Sequence, residues 1–247
     1  MGYTERMNKY SDKMTPLFVA NDTIPNELFS AHGVNRGLRD INGKGVLTGL
    51  TSISKINAFK EENGQRIPCD GELWYRGYQV QDLIKMYGTK RFGYERTAFL
   101  LLFGRLPDDN EFEEFKEILA LNRSLPTNFT RDVIMKAPSH DIMNSMTRSI
   151  LTLASYDDDV ADLSLNNVLK QCIRLIAVFP MLAVYGYHAY NHYECDESMY
   201  IHRPDPQLST AENLLMMLRP DKSFTYLEAE VLDIALILHM EHGGGNN

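Results

Sequence analysis

The sequence predicts a mostly α protein with many helices and one small β-hairpin near its N-terminal end. Three observations predict this class. The β-prone stretches are confined to residues 46–78, apolar residues repeat at the helical period after Gln79, and residues typical of helix N-termini precede several of these repeats. The chain has 247 residues, of which 44% are hydrophobic, so it can bury a core without the support of disulfides or metals.

We divide the chain into three segments. Residues 1–45 are predicted to form an N-terminal arm, with a short helix after Pro25 and a glycine-rich turn close to the end of the arm. Residues 46–78 are predicted to form the β-hairpin, and residues 79–247 the helical part of a large domain. The sequence contains no internal repeat and no low-complexity linker that would separate these segments further.

The hairpin is predicted from two β-prone runs and the turn between them. The runs are Val46–Phe59 and Ile67–Tyr75, and Asn63-Gly64 stands between them. An Asn-Gly pair favours the tight turn in which both central residues have positive φ. The two runs are therefore expected to pair as antiparallel strands.

Helices are predicted where the apolar period follows a helix-start signal. The longest of them contains Pro180, which predicts a kink because proline removes one helical hydrogen bond. Besides the short helix of the arm, five helices are predicted: behind Asp108, behind Asp141, over about residues 165–190, over Glu212–Leu218, and behind the capping box Thr225-x-x-Glu228.

The charge balance and the cysteine content limit the class of protein. The formal net charge is −8, and an acidic surface repels polyanions, so no nucleic-acid partner is expected. Three cysteines, Cys69, Cys172 and Cys195, are far apart and odd in number, which favours free thiols in a reducing cytoplasm. The longest apolar run, around Leu175–Tyr187, is too short to span a bilayer and contains Pro180, so no membrane partner is expected.

The clearest candidate for chemistry is a pair of histidines beside three glycines. His239 and His242 lie three residues apart at the end of the last predicted helix, and Gly243–Gly245 follow them. Two imidazoles there could reach a cleft in which a ligand approaches the glycine backbone. A helix C-terminus also favours a protonated ring, which pairs well with a carboxylate or a polarised carbonyl. The alternative is that both rings only cap the last carbonyl groups of the helix.

Two groups of residues raise a metal site as a further alternative. His239 and His242 form half of a zinc motif, but the sequence offers no further ligand downstream. His188, His192 and Cys195 share one helical face at i, i+4 and i+7 and could bind zinc or copper. A polar edge, where a helix leaves the core, explains the same three residues and suits their Tyr, Asn and Glu neighbours. We therefore predict no metal.

Six segments occur in a fixed order within residues 35–247. The second contains Tyr-Arg-Gly-Tyr, the third ends in Phe-Gly-Arg-Leu-Pro, and the last reads His-Met-Glu-His-Gly-Gly-Gly-Asn. The segments are Gly37–Asp40, Glu72–Ile84, Tyr94–Pro107, Ala137–Leu153, Pro206–Asn213 and His239–Asn246. Together they resemble the N-terminal part of the large domain in the citrate synthase family.

The resemblance implies an acyltransferase of the tricarboxylic acid cycle. It would condense acetyl-CoA with oxaloacetate to give citrate and CoA, as a homodimer, with acetyl-CoA as co-substrate and no further cofactor. By match to the family's motif, His242 would donate a hydrogen bond to oxaloacetate, Asn246 and the backbone of Gly243–Gly245 would line the same pocket, and His239 would support it from behind. Arg39 would reach a CoA phosphate across the dimer.

Two departures from the family pattern bear on this interpretation. The family usually has Glu after the second histidine, where this chain has Gly243. The sequence also lacks the family's later Gly-Pro-x-His and Gly-Tyr-Gly-His motifs, its catalytic Asp, its carboxylate-binding arginines and its small CoA-binding domain. We therefore assign no catalytic residue within this chain, and we expect it to be a fragment that is inactive alone.

Two other functions stay open at this point. A 2-methylcitrate synthase would use propionyl-CoA, which differs from acetyl-CoA by one methylene, and a pocket discriminates a methylene by only about 1–3 kcal/mol. The second is a helical interaction domain without chemistry. The sequence sets neither the acyl-CoA preference nor the presence of allosteric control.

Overall fold

The computed structural model describes residues 2–21, 24–33 and 50–241, and within these ranges the fold is mostly helical, as predicted. The helices are α1 (Tyr3–Ala20), α2 (Asn26–Ala31), α3 (Val80–Tyr87), α4 (Gly93–Phe103), α5 (Asp109–Asn122), α6 (Ile142–Leu153), α7 (Leu165–Glu194), α8 (Thr210–Leu218) and α9 (Tyr226–Leu238). The strands are β1 (Ser54–Glu62), β2 (Gln65–Tyr75) and β3 (Tyr78–Gln79).

The predicted hairpin is present, with the predicted turn. Strand β1 pairs with β2 in antiparallel register, and Asn63 and Gly64 have φ of 53° and 74°, the conformation that an Asn-Gly turn favours. The register changes between Asn57 and Phe59, since Asn57 pairs with Glu72 and Phe59 pairs with Pro68. The first strand begins at Ser54, later than predicted, and residues 46–49 lie outside the described residues.

A third strand was not predicted. Arg76 and Gly77 form a second tight turn with φ of 46° and 86°, and it brings the two-residue strand β3 back against the end of β2. A strand of two residues is too short to leave a periodic pattern in the sequence. The sheet order is β1-β2-β3.

The helix starts behave as the capping signals predict. Asp108 accepts a hydrogen bond from the backbone of Glu111, and Glu111 bonds back to the Asp108 backbone, so α5 begins with a capping box. Thr225 and Glu228 form the predicted reciprocal pair at the start of α9. Asp141 caps α6 through the backbone N–H of Asn144. Each of these side chains satisfies backbone groups that have no partner inside the helix.

The longest helix exceeds the prediction. It runs for 30 residues, Leu165–Glu194, against the predicted range of about residues 165–190, and Pro180 lies inside it. By length and composition alone α7 could cross a membrane. Many of its side chains, however, are buried within the protein, and a central core helix passes the same test. The residues buried along it include Ile173, Val178, Leu182, Tyr185 and Ala189.

The described chain divides into two compact units whose bounds cut across the three predicted segments. One, the helical unit, comprises Met1–Pro16 and Asp108–Asp233. The other, the hairpin unit, comprises Leu17–Pro107 and Ile234–Asn247. Each unit joins two stretches that are far apart in the sequence. The three predicted segments stay a prediction.

The expected N-terminal arm contains a helix of 18 residues. Met7, Tyr10 and Met14 are buried along one face of α1, at the spacing of an amphipathic helix. The ring of Tyr10 stacks on that of Phe115, with the ring centroids 6.5 Å apart. The first part of α1 is therefore a structural element of the helical unit.

The hairpin unit has its own apolar core. Its fully buried members come from the end of β2, from α3 and α4, and from the last turn of α9. They are Tyr75, Val80, Leu83, Leu100 and Ile237. This core fixes the end of α9, where the predicted site residues begin.

Candidate functional site

The end of α9 is the part of the predicted site that the structure describes. The helix ends at Leu238, and the next two residues close it with tighter hydrogen bonds, from the His239 N–H to Leu236 and from the Met240 N–H to Ile237. The sequence had predicted a helix that reaches His242. The helix therefore stops one turn earlier, before the glycines.

Side chains of the hairpin hold this helix end. The hydroxyl of Tyr75 donates to the carbonyl oxygen of Ile237 at 2.9 Å and accepts from the N–H of Glu241 at 3.4 Å. The hydroxyl of Ser54 donates to Glu241 Oε1 at 3.1 Å. Met240 packs against the core of the hairpin unit. The chain is thus held up to Glu241, the residue immediately before His242.

The electrostatics of this contact favour a neutral phenol. Tyr75 is fully buried, and burial raises the pKa of its hydroxyl above the ordinary value. The group therefore keeps its proton, which is the proton that it donates to Ile237.

His239 takes the capping position that the sequence offered as the alternative. Its ring is exposed, and Nδ1 lies 2.7 Å from the carbonyl oxygen of Ala235, one turn earlier in α9. A carbonyl only accepts, so Nδ1 carries the proton in this contact. Its supporting role toward a substrate stays a prediction.

The other predicted site residues lie outside the described residues. These are His242, Asn246, the backbone of Gly243–Gly245, and Arg39. Their roles therefore stay predictions from the sequence. The structure contributes the position of the chain that leads to His242.

Arg76 is a residue that the sequence reasoning did not single out. Its guanidinium donates to the carbonyl oxygen of Leu101 at 3.2 and 3.0 Å, to Ser52 Oγ at 3.1 Å, and to the carbonyl oxygen of Asn21 at 3.4 Å. It lines a cavity of about 330 Å³ in the hairpin unit. Because the guanidinium binds main-chain oxygens, we interpret Arg76 as a structural residue that ties the hairpin to α4.

The three residues of the alternative metal site have separate hydrogen-bonding roles. His188 is buried, with Nε2 3.1 Å from the carbonyl oxygen of Met217, and His192 Nδ1 lies 2.8 Å from the carbonyl oxygen of Glu197. Cys195 is exposed. Among the described residues no group of three or more His, Cys, Asp or Glu side chains is arranged to hold a metal ion. The polar-edge interpretation fits His192 and Cys195, and His188 belongs to the core.

Comparison with known proteins identifies the family. The family model described as "Citrate synthase, C-terminal domain" matches residues 38–247. The chain belongs to the citrate synthase family. This confirms the resemblance that the six ordered segments indicated.

Individual relatives agree with this family. The chain is 31% identical over 201 residues to a citrate synthase of Haloferax volcanii, covering 78% of this chain and 47% of the relative. It is 29% identical over 198 residues to a citrate/2-methylcitrate synthase of Bacillus subtilis, covering 80% of this chain and 47% of the relative. The crystal structure of citrate synthase from Pyrobaculum aerophilum matches with a TM-score of 0.65 and 26% identity, covering 83% of this chain and 49% of that one. The chain thus spans about half the length of the citrate synthases it matches.

Proposed function

We propose that this chain is the oxaloacetate-binding part of a citrate synthase, which condenses acetyl-CoA with oxaloacetate to citrate and CoA in the tricarboxylic acid cycle. The observation that carries the proposal is the ordered series of family segments, which ends in His239–Asn246. Family membership over residues 38–247 supports it. So does the end of α9, which Tyr75 and Ser54 hold as far as Glu241.

The chemistry explains why the reaction needs histidines and backbone donors at this place. Removal of a proton from the thioester methyl group creates an enolate, which attacks the ketone carbon of oxaloacetate, and negative charge develops on the ketone oxygen. Fixed hydrogen-bond donors lower this barrier. In the proposal His242 donates to oxaloacetate, and Asn246 and the amides of Gly243–Gly245 line the same pocket. Protonation of that oxygen and hydrolysis of the resulting thioester by water then give citrate and CoA. The reaction needs no cofactor beyond acetyl-CoA as co-substrate.

The acid–base step needs residues that this chain does not contain. In the family pattern they belong to later motifs, which are absent from the 247 residues. We therefore expect no CoA release from the 247-residue chain supplied with both substrates. The protein expressed from a reading frame that continues into those motifs is expected to release CoA only when oxaloacetate is present. Normal turnover by the 247-residue chain alone would show that the acid–base residues do not lie in the later motifs. If the longer protein releases no CoA in response to oxaloacetate, the proposed function is wrong.

A variant pair tests the role of His242 in that complete protein. Removing one donor to a developing oxyanion costs on the order of 100-fold in rate, so His242→Ala should lower kcat/KM for oxaloacetate by about that factor. His140→Ala is the control, because His140 is an exposed histidine that precedes α6. Equal activity of the two variants would remove His242 from the site.

A 2-methylcitrate synthase is the second candidate. The Bacillus subtilis relative is named as a citrate/2-methylcitrate synthase, so this family includes proteins with both names. Steady-state kinetics of the complete protein with acetyl-CoA and propionyl-CoA distinguish the two activities. A higher kcat/KM for acetyl-CoA supports citrate synthase, and a higher value for propionyl-CoA supports the alternative. A non-catalytic helical interaction domain would release CoA from neither.

We also propose a homodimer formed through the helical unit. On α6, Met143 and Leu151 are 73% and 70% exposed, and on α7, Phe179 and Tyr187 are 39% and 42% exposed. Each pair is spaced i, i+8 and so shares one helical face. The two helices pack closely, since a Cβ on Gly186 would lie 3.2 Å from Ser145 Oγ. Two apolar faces on adjacent helices are typical of an interface between copies.

The oligomeric state in solution tests this interface. Leu151→Arg is expected to convert a dimer to a monomer, as measured by analytical ultracentrifugation, because a charge on the apolar face would be desolvated in the interface. Leu163→Arg is the control, since Leu163 is highly exposed but lies in the turn before α7. A dimer that persists in Leu151→Arg would place the interface elsewhere. In such a dimer Arg39 would reach a CoA phosphate bound to the other copy.

The proposed setting of the reaction is the cytoplasm. The three cysteines are free in the structure, and the acidic chain is suited to small-molecule substrates rather than to nucleic acid or a membrane. Localisation of a fluorescently tagged complete protein by microscopy tests this assignment. Enrichment in a membrane fraction would contradict it.

A further inference from the structure

We propose that Tyr75 is a positioning residue for His242. Its hydroxyl closes the end of α9 onto Glu241 and so fixes the chain at the residue immediately before His242. This inference rests on the proposed function, because it concerns the residue that would contact oxaloacetate. Tyr75 lies in one of the six family segments, but the resemblance assigns no role to it.

The first step of the argument is the geometry of the hydroxyl. Tyr75 is the last residue of β2, and its hydroxyl donates to the carbonyl of Ile237 while it accepts from the N–H of Glu241. These two backbone groups stand four residues apart, on the two sides of the helix end. One side-chain oxygen therefore joins the last turn of α9 to the segment beyond it, where helical hydrogen bonds no longer hold the chain.

The second step is that this bridge is buried and rigid. Tyr75 and Ile237 have no exposed surface, and Leu83 and Leu100 belong to the same core. A hydrogen bond in such a place has no competing water, and loss of one partner leaves the other group buried without one. The orientation of the chain at Glu241 is thus fixed by the core of the hairpin unit.

The third step is a second tie to the same residue. Ser54, at the start of β1, donates to the carboxylate of Glu241 at 3.1 Å. The first strand and the end of the second strand therefore both hold Glu241, one through its side chain and one through its backbone. His242 is the next residue in the sequence. A change in either tie is therefore expected to alter the position of the chain at Glu241.

The test is Tyr75→Phe in the complete protein, because phenylalanine keeps the buried ring and removes only the hydroxyl. We expect KM for oxaloacetate to rise roughly three- to tenfold, the effect of one lost hydrogen bond, with KM for acetyl-CoA unchanged. Amide hydrogen exchange at Glu241 should become faster in the same variant. Ser54→Ala should shift KM for oxaloacetate in the same direction, and it keeps the test valid if Tyr75→Phe folds poorly.

Tyr10→Phe is the matched control. Tyr10 is also buried, but its hydroxyl has no hydrogen-bond partner among the described residues, and it belongs to the helical unit. It should leave both KM values unchanged. A wild-type KM for oxaloacetate in Tyr75→Phe and Ser54→Ala, or an equal rise for both substrates, would overturn the positioning role. If the wild-type protein itself shows no oxaloacetate-dependent CoA release, the proposed function fails instead.

Discussion

The side-chain oxygen of Asn21 overlaps the point that a Cβ atom on Gly104 would occupy. Gly104 ends α4 in the left-handed conformation, with φ of 75°. The amide of Asn21 donates to the carbonyl oxygens of Leu17 at 2.8 Å and Phe103 at 3.1 Å. The end of α4 therefore docks on the residue that follows α1, and only glycine leaves room for this contact.

Gly104→Ala is expected to destabilise the protein. The left-handed backbone costs an alanine roughly 1–2 kcal/mol, and displacement of Asn21 adds to that cost. Gly71→Ala is the control, because Gly71 has no positive φ and open space around its Cβ position. Urea unfolding followed by circular dichroism measures both. Equal stability of the two variants would show that the Asn21 contact does not restrict this position.

The ionisation of Glu228 is expected to make the stability of the fold depend on pH. Hydrogen bonds from Arg219 and from the Thr225 backbone and hydroxyl lower the pKa of this carboxyl to about 2. Since the carboxylate binds protons less readily when folded, its contribution is complete above the ordinary pKa of 4.5 and is lost as the pH falls from there to about 2. Glu228→Gln should therefore lower the unfolding temperature at neutral pH and have no effect near pH 2.

The control for Glu228 is two residues further along the same helix. Glu230 belongs to α9 but has no hydrogen bond or ion pair among the described residues. At neutral pH, Glu230→Gln should lower the unfolding temperature less than Glu228→Gln does. A Glu228→Gln effect without pH dependence would contradict the capping and ion-pair interpretation.

His188 is also expected to make stability depend on pH, through a basic group rather than an acidic one. Burial lowers the pKa of its imidazole below the ordinary value of 6.5, while the bond to Met217 and the charge of Glu197 oppose this shift and His202 adds to it. The folded protein thus holds the neutral ring, and the unfolded chain takes up the proton more readily. Stability should be highest above pH 6.5 and should fall as the pH drops below it.

His188→Gln checks this assignment, because an amide can still donate to Met217 but does not titrate. The variant should lose part of the fall in unfolding temperature below pH 6.5. His140→Gln, at an exposed position, should keep the fall. A His188→Gln protein with the wild-type profile would show that another group controls stability in this range.

Metal removal is expected to leave the fold unchanged. Two of the residues in the alternative metal site, His188 and His192, each use one ring nitrogen on a main-chain carbonyl. Dialysis against EDTA should therefore leave the unfolding temperature unchanged, and excess zinc should not raise it. Zinc bound in a one-to-one ratio after purification would revive the metal alternative.

Much of the fold was predictable because its signals are local. The Asn63-Gly64 turn and the capping pairs depend on residues a few positions apart, so the sequence reveals them directly. Helix α1 was missed because mixed charges and Pro16 obscure the apolar face that Met7 and Met14 form. The predicted range of about residues 165–190 came close to α7, because a long apolar run is a strong local signal.

The site was predictable only in part, because some of its contacts join residues that are far apart in the sequence. The histidine and glycine pattern near the end of α9 is local and identified the segment. The bond between Tyr75 and Ile237 joins residues 162 positions apart, and no sequence period encodes such a contact. The capping role of His239 depends on where α9 ends, and helix ends are the least certain part of any prediction from sequence.

The 162 positions between Tyr75 and Ile237 also set the order in which these two residues are synthesised. A ribosome adds roughly 5–20 residues per second, so the end of α9 leaves it about 8–30 s after the hairpin. Until then the apolar cluster around Tyr75 lacks the helix end that completes it. We expect nascent chains to expose this cluster, and chaperones to protect the hairpin until translation has passed Ile237.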